Sequence, residues 1–164
     1  DRLAETRDGI VIADYKTGAP RGGKPAAGHV AQLALYREAV RRMSTRKGGK
    51  GGAIVNISSV ASTLGSPNEY VDYAASKGAV DTFTIGLAKE VAAEGIRVNA
   101  VRPGMITTDI HESSGDPGRV ERIRPTIPMQ RIGDPEEIAR AALWLLSDEA
   151  SYCTGSFITA SGGR

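Results

Sequence analysis

Hydrophobic and polar positions along the chain follow two periods. Short apolar runs at Ile10-Val-Ile-Ala13, Ala53-Ile-Val-Asn-Ile57, Ile96-Arg-Val-Asn-Ala-Val101 and Ser156-Phe-Ile-Thr159 read as strands. Continuous runs of this kind mark strands covered on both faces, as in parallel sheets. Between them lie segments of helical period. His29 to Met43 places Val30, Leu33, Ala34 and Arg37 on one face, and Tyr73 to Ala93 carries a stripe of Val80, Phe83, Leu87 and Val91 that stops at Gly95. Asp134-Pro135-Glu136-Glu137 combines an N-cap residue, proline at the first helical position and acids in the first turn. Ile138, Ala141, Ala142 and Leu145 then line one face. Strand, helix, strand, helix, strand implies an α/β fold, a partial Rossmann-like parallel sheet of about three strands with flanking helices. Ahead of it, Asp8-Gly9 predicts a tight hairpin turn, with Leu3 facing Asp14 and Asp1 facing Lys16.

The 164 residues are 40% apolar and 24% charged, which excludes a wholly disordered chain. No apolar run approaches the roughly 18 residues of a membrane span, and no secretory leader pattern opens the sequence. Cys153 is the single cysteine, so no internal disulfide framework or Cys-rich zinc site is expected, in keeping with a cytoplasmic location. Net charge is only +2, but residues 1–50 carry 11 basic and 5 acidic side chains. Much of that excess, at Arg41, Arg42, Arg46, Lys47 and Lys50, reads as a solvated helix end and loop rather than a nucleic-acid surface. Asn56 and Asn99 read as residues that bond backbone, and Cys153 as a buried filler.

Three side chains suggest chemistry. Tyr73 and Lys77 stand four apart on one helix and share a face. Ser59 follows the end of a strand, where open α/β sheets bind ligands. Reduction of a ketone by hydride leaves an alkoxide that needs a proton. A phenol has an ordinary pKa of about 10, and a neighbouring ammonium lowers it toward a value suited to acid–base work. A serine hydroxyl can hold the substrate oxygen in line.

From about Arg37 to Arg164 the chain resembles the C-terminal half of a short-chain dehydrogenase/reductase. Gly52-Ala-Ile-Val-Asn-Ile-Ser-Ser59 resembles that family's active-site serine strand, and Tyr73-Ala-Ala-Ser-Lys77 its Tyr-x-x-x-Lys motif. Arg97-Val-Asn-Ala-Val-Arg-Pro-Gly104, followed by Met-Ile-Thr-Thr108, is similar to the segment that wraps the nicotinamide end of the cofactor. The resemblance implies an NAD- or NADP-dependent oxidoreductase acting on a small carbonyl or secondary alcohol. It implies Ser59 as the residue that orients the carbonyl, Tyr73 as acid/base, and Lys77 as the group that lowers the phenol pKa and binds the nicotinamide ribose. Pro103, Gly104, Ile106 and Thr108 become cofactor contacts, and a homo-oligomer is implied. His111 falls in the expected substrate loop. No Gly-x-Gly-x-x-Gly turn stands between a strand and a helix, so the Gly-rich nucleotide-binding half is expected to be lacking.

Residues 1 to about 40 resemble something else. Asp1-Arg-Leu, Ile12-Ala-Asp-Tyr-Lys-Thr-Gly18 and Gln32-Leu-Ala-Leu-Tyr36 are similar to the nuclease core of RecB-type helicase–nucleases, in the PD-(D/E)xK superfamily. That resemblance implies Mg²⁺ held by Asp1 and Asp14, with Lys16 at the attacking water, Gln32 and Tyr36 on the next helix, and DNA as partner. The expected organisation is therefore a nuclease-like piece at 1–36 joined to a dehydrogenase portion at 37–164. A metal-dependent nuclease module, or an inactive chimeric remnant or scaffold, is the alternative to the oxidoreductase.

Overall fold

The computed structural model describes residues 10–14, 27–107 and 118–164, with side chains from Leu33 onward. A parallel four-stranded sheet is formed by β1 (Ile10–Asp14), β2 (Gly52–Ile57), β3 (Ile96–Pro103) and β4 (Phe157–Ala160), in that spatial order. The helices are α1 (Ala27–Met43), the single turn α2 (Ala61–Leu64), α3 (Val71–Val91), the short α4 (Arg119–Ile123) and α5 (Pro135–Leu146). No described helix is long and apolar enough to cross a membrane.

Side-chain alternation along β2 builds two cores. Ile54 faces Tyr36 and Met43 of α1 and Ala88 and Val91 of α3, together with Ile96 and Val98 of β3. Ala53 and Val55 face the other way, onto Ala142, Leu145 and Leu146 of α5. A strand that must be apolar on both faces cannot alternate, which is why β2 reads as one unbroken run. The helix α5 starts as its sequence predicts: the backbone N–H of Asp134 donates to Oε2 of Glu137 at 2.9 Å, and Pro135 fills the first helical position.

Two expectations change. The sheet has four strands rather than about three, because Ile10–Asp14 pairs parallel to β2, Ile10 opposite Ala53 and Asp14 opposite Ile57. The predicted turn partner of that strand, around Asp8-Gly9, lies outside the described residues, as do Asp1 and Lys16. On α1 the buried face is Tyr36, Ala39 and Met43, while Leu33 is 52% exposed. The face expected from the helical period, with Leu33, Ala34 and Arg37, is the exposed one; Tyr36 goes inside instead, its ring meeting Phe83 edge to face with centroids 4.8 Å apart.

Candidate active site

The C-terminal ends of β2 and β3 form one edge. Beyond β2 the ladder continues into the following loop: Ser58 donates its N–H to Val101 O at 2.8 Å and Val60 to Pro103 O at 3.0 Å. Ser59 is held between these two bonds. Its Oγ accepts the Ala61 N–H at 3.1 Å. A hydroxyl has two acceptor sites and one proton to donate, so accepting from Ala61 leaves Ser59 able to donate its O–H.

The helix α3 carries Tyr73 in its first turn and Lys77 in its second. Lys77 is 6% exposed and Tyr73 44% exposed. The Lys77 ammonium donates to Ile57 O, the last residue of β2, at 3.0 Å. It also stands 5.7 Å from the centroid of the Tyr73 ring. Ser58 reaches back to Lys77 O with a longer contact of 3.4 Å. One charged group thus ties the strand that leads into Ser59 to the helix that presents the phenol.

The remaining residues expected at a cofactor behave differently. Gly104 donates to Ala160 O at 2.9 Å. A Cβ on Gly104 would stand 2.7 Å from Ser161 Cα, so close passage of the chain just past β4 explains the glycine by itself. Ile106 is buried and bridges to Gly133, while Thr107 donates to Gly133 O at 2.9 Å. Pro103 joins the serine loop through its bond from Val60. Thr108 and His111 lie outside the described residues. A cleft of about 330 Å³ opens beside Met105 and Ile106, toward Arg131, Glu137 and Gly162.

Several structural residues escaped the sequence reading. The Arg97 guanidinium donates to the carbonyls of Leu145 (2.7 Å), Leu146 (3.3 Å), Ser147 (3.0 Å) and Cys153 (3.4 Å), closing the C-terminal end of α5. Asn99 bonds backbone as expected, donating to Cys153 O and accepting from Ser156 N–H. Asn56 does not: it accepts from the Tyr36 hydroxyl at 2.7 Å and donates to Thr84 Oγ1 at 2.8 Å. Cys153 is half-buried against the α5 core. Arg102 pairs with Asp81 at 2.9 Å and stacks on Phe157. The partners of Arg97 and Arg102 lie 21 to 56 residues away in sequence, so no local spacing announces them.

The nuclease resemblance gains no support. Tyr36, which that resemblance placed on the helix following the metal-binding strand, is 5% exposed and gives its hydroxyl to Asn56 in the core. Among the described residues no group of three or more His, Cys, Asp or Glu is placed to hold a metal ion.

A parallel sheet between helix layers, with a serine, a tyrosine and a lysine at its C-terminal edge, is a Rossmann-like arrangement. The chain belongs to the short-chain dehydrogenase/reductase family: the family model described as enoyl-(acyl carrier protein) reductase matches residues 30–164, a stretch that includes Gln32 and Tyr36. The uncharacterized oxidoreductase YgfF of Escherichia coli (strain K12) is 68% identical over 128 residues, covering 78% of this chain and 52% of that protein. Acetoacetyl-CoA reductase of Shinella zoogloeoides is 46% identical over 113 residues, 69% of this chain and 46% of that protein. The chain therefore spans about half the length of the curated relatives it matches. Among solved structures, a 7 alpha-hydroxysteroid dehydrogenase complexed with NADH and 7-oxo glycochenodeoxycholic acid superposes with a TM-score of 0.76 at 29% identity, covering 94% of this chain and 62% of that one. L-sorbose reductase from Gluconobacter frateurii, complexed with NADPH and L-sorbose, gives a TM-score of 0.73 at 28% identity, covering 94% and 65%.

Proposed function

We propose that this chain carries the catalytic portion of an NAD- or NADP-dependent oxidoreductase acting on a small carbonyl or secondary alcohol. The observation that carries the reading is the placement of the Lys77 ammonium between Ile57 O and the Tyr73 ring. A buried positive charge beside the ring stabilises negative charge as it develops among the reacting oxygens. Tyr73 then donates its proton to the substrate oxygen as that oxygen gains negative charge, and recovers it from solvent; in the oxidative direction the phenolate accepts the alcohol proton. Ser59 donates its O–H to the same oxygen, with the Ala61 N–H fixing its rotamer. A nicotinamide cofactor supplies or takes up the hydride when bound. The donor set suits its ribose: Lys77 is a buried ammonium held at the strand edge, next to a phenol that is partly open to solvent. Pro103, Gly104 and the Ile106 backbone are the neighbouring contacts we assign to the nicotinamide end.

Two family structures similar to this one contain NADH or NADPH, which supports the cofactor class. We also read the chain as a homo-oligomer of a reducing compartment, on the exposed Val71, Ile85, Leu143 and Trp144 and the single cysteine. Residues 1–36 we read as the N-terminal portion of the chain, whose strand Ile10–Asp14 joins the dehydrogenase sheet beside β2.

The test is titration of the full chain with NADH and with NADPH, watched by nicotinamide fluorescence. Saturable binding of either is expected. No binding of either at millimolar concentration sinks the oxidoreductase reading and leaves a scaffold that shares the family's fold.

A further inference from the structure

Arg102, near the end of β3, is held from two sides. Its Nε donates to Oδ2 of Asp81 on α3 at 3.0 Å, and its Nη2 stands 2.9 Å from the same oxygen. Its guanidinium carbon lies 3.9 Å from the centroid of the Phe157 ring on β4. Asp81 Oδ1 is buried and, among the described residues, has no partner, so the bond to Arg102 runs through Oδ2. A part-buried ion pair of this kind is a weak source of stability, because desolvation offsets much of the attraction. What it supplies is a fixed geometry, since the planar fork accepts few arrangements. Both ends of the pair fall beside the site. The bonds from Ser58 N–H to Val101 O and from Val60 N–H to Pro103 O, which flank Ser59, also flank Arg102 on the neighbouring strand. Asp81 follows Lys77 by four residues, about 6 Å along α3, and both lie on its buried side. The helix is thus tied to the end of β2 by Lys77 and Ile57 O, and to the end of β3 by Asp81 and Arg102.

We infer that Asp81 and Arg102 are positioning residues for this site: their ion pair sets the height of the Tyr73 and Lys77 turns over Ser59 and over the segment from Pro103 to Ile106. This rests on the oxidoreductase reading. Lys77 by itself does not fix the helix, because an ammonium on a flexible stem turns with its acceptor, and the ribose assigned to it draws on the same donors. The Asp81–Arg102 bond uses groups that the reaction does not, so it holds while Lys77 is engaged. Ties to two neighbouring strands stop the helix from pivoting about either one. Misplacement by about an ångström among groups that act on one ligand is expensive, on the order of 10² in rate for a reacting pair.

The experiment uses the full chain with Arg102→Lys, with Asp81→Asn and with both. Arg102→Lys keeps a positive charge beside Asp81, and Asp81→Asn keeps an oxygen for Arg102, so no variant leaves a buried carboxylate without a cation. Without cofactor, NMR follows the Tyr73 ring signal, identified by Tyr73→Phe, and the Met105 amide, the one Gly–Met amide in the sequence. Arg102→Lys should move both and leave the indole signal of Trp144, the single tryptophan, in place. NADH or NADPH, whichever the parent binds more tightly, is then titrated by nicotinamide fluorescence below the melting temperature of every variant. Each single change should weaken binding about tenfold. The double should also lose about tenfold rather than roughly a hundredfold, because its second change breaks a bond already lost. A pair that serves stability alone would lower the melting temperature and leave the affinity of folded protein unmoved. Single variants that bind as tightly as the parent, or Tyr73 and Met105 signals that stay in place, overturn the inference while the oxidoreductase reading stands. Additive losses in the double variant overturn it too, since the two residues would then act separately. If the parent binds neither cofactor, both fail.

Discussion

The Lys77 ammonium donates to the main-chain oxygen of Ile57 at 3.0 Å, across a gap of 20 residues in sequence. A charge-assisted bond to a carbonyl is among the stronger hydrogen bonds a protein makes. Here it holds one turn of α3 to the last residue of β2. Lys77 is 6% exposed, so its charge is screened less than one at an open surface.

Tyr73→Phe removes the proton donor and keeps the ring. We expect turnover with a simple ketone to fall by about 10²–10⁴, while nicotinamide fluorescence titration shows cofactor affinity within a few-fold of the parent. Parallel loss of both would reassign the tyrosine to structure.

Arg97→Met keeps the stem and removes the fork that serves three carbonyls at the end of α5 and that of Cys153. The lost charged hydrogen bonds should cost about 2–3 kcal/mol, a drop of roughly 4–12 °C in melting temperature for a chain of this size. Arg97→Lys should recover less than half, because an ammonium cannot span the same fork. Scanning calorimetry of the three proteins decides it; a Met variant as stable as the parent overturns the capping role.

Tyr36, Asn56 and Thr84 form a buried chain that links α1, β2 and α3, with Thr84 donating onward to Val80 O at 2.8 Å. Tyr36→Phe strands the Asn56 oxygen and should cost about 1–3 kcal/mol. In a double-mutant cycle with Thr84→Val, measured by urea unfolding, the two costs should fall short of additivity by at least about 0.5 kcal/mol. Strict additivity would mean that the three groups act independently.

Glu137 provides the pH prediction. The Arg131 guanidinium, first through its hydrogen bonds, and then the Asp134 N–H hold its carboxyl down at about 2, from an ordinary 4.5. A carboxyl with a lowered folded-state pKa contributes stability that is present above the unfolded value and lost as pH falls through the folded one. The stability gap between the parent and Glu137→Gln should therefore be constant above about pH 5, shrink from there to pH 2, and show no such change between pH 6 and 8. Both partners lie at the surface, so the gap is small and should shrink further in high salt. Acid titration of stability in both proteins checks the window; a gap that opens only above pH 6 would contradict it.

Strand and helix periods, the Asp134-Pro135 start of α5 and the spacing of Tyr73 and Lys77 are local properties. Each depends on residues within a few turns of one another, so they could be read directly from order along the chain. The same order placed Ser59 just past a strand, which in a parallel sheet means the ligand edge. Folding in three dimensions decided the rest. It paired Ile10–Asp14 with β2 and made a fourth strand. It turned α1 so that Tyr36, not Leu33, went inside. It gave Arg97, Asn56 and Arg119 their partners. Those choices rest on contacts between residues 20 to 56 positions apart. A pattern with a period of two or 3.6 residues holds no information about such pairings, because which distant groups meet is set by how sheet and helices close around a shared core.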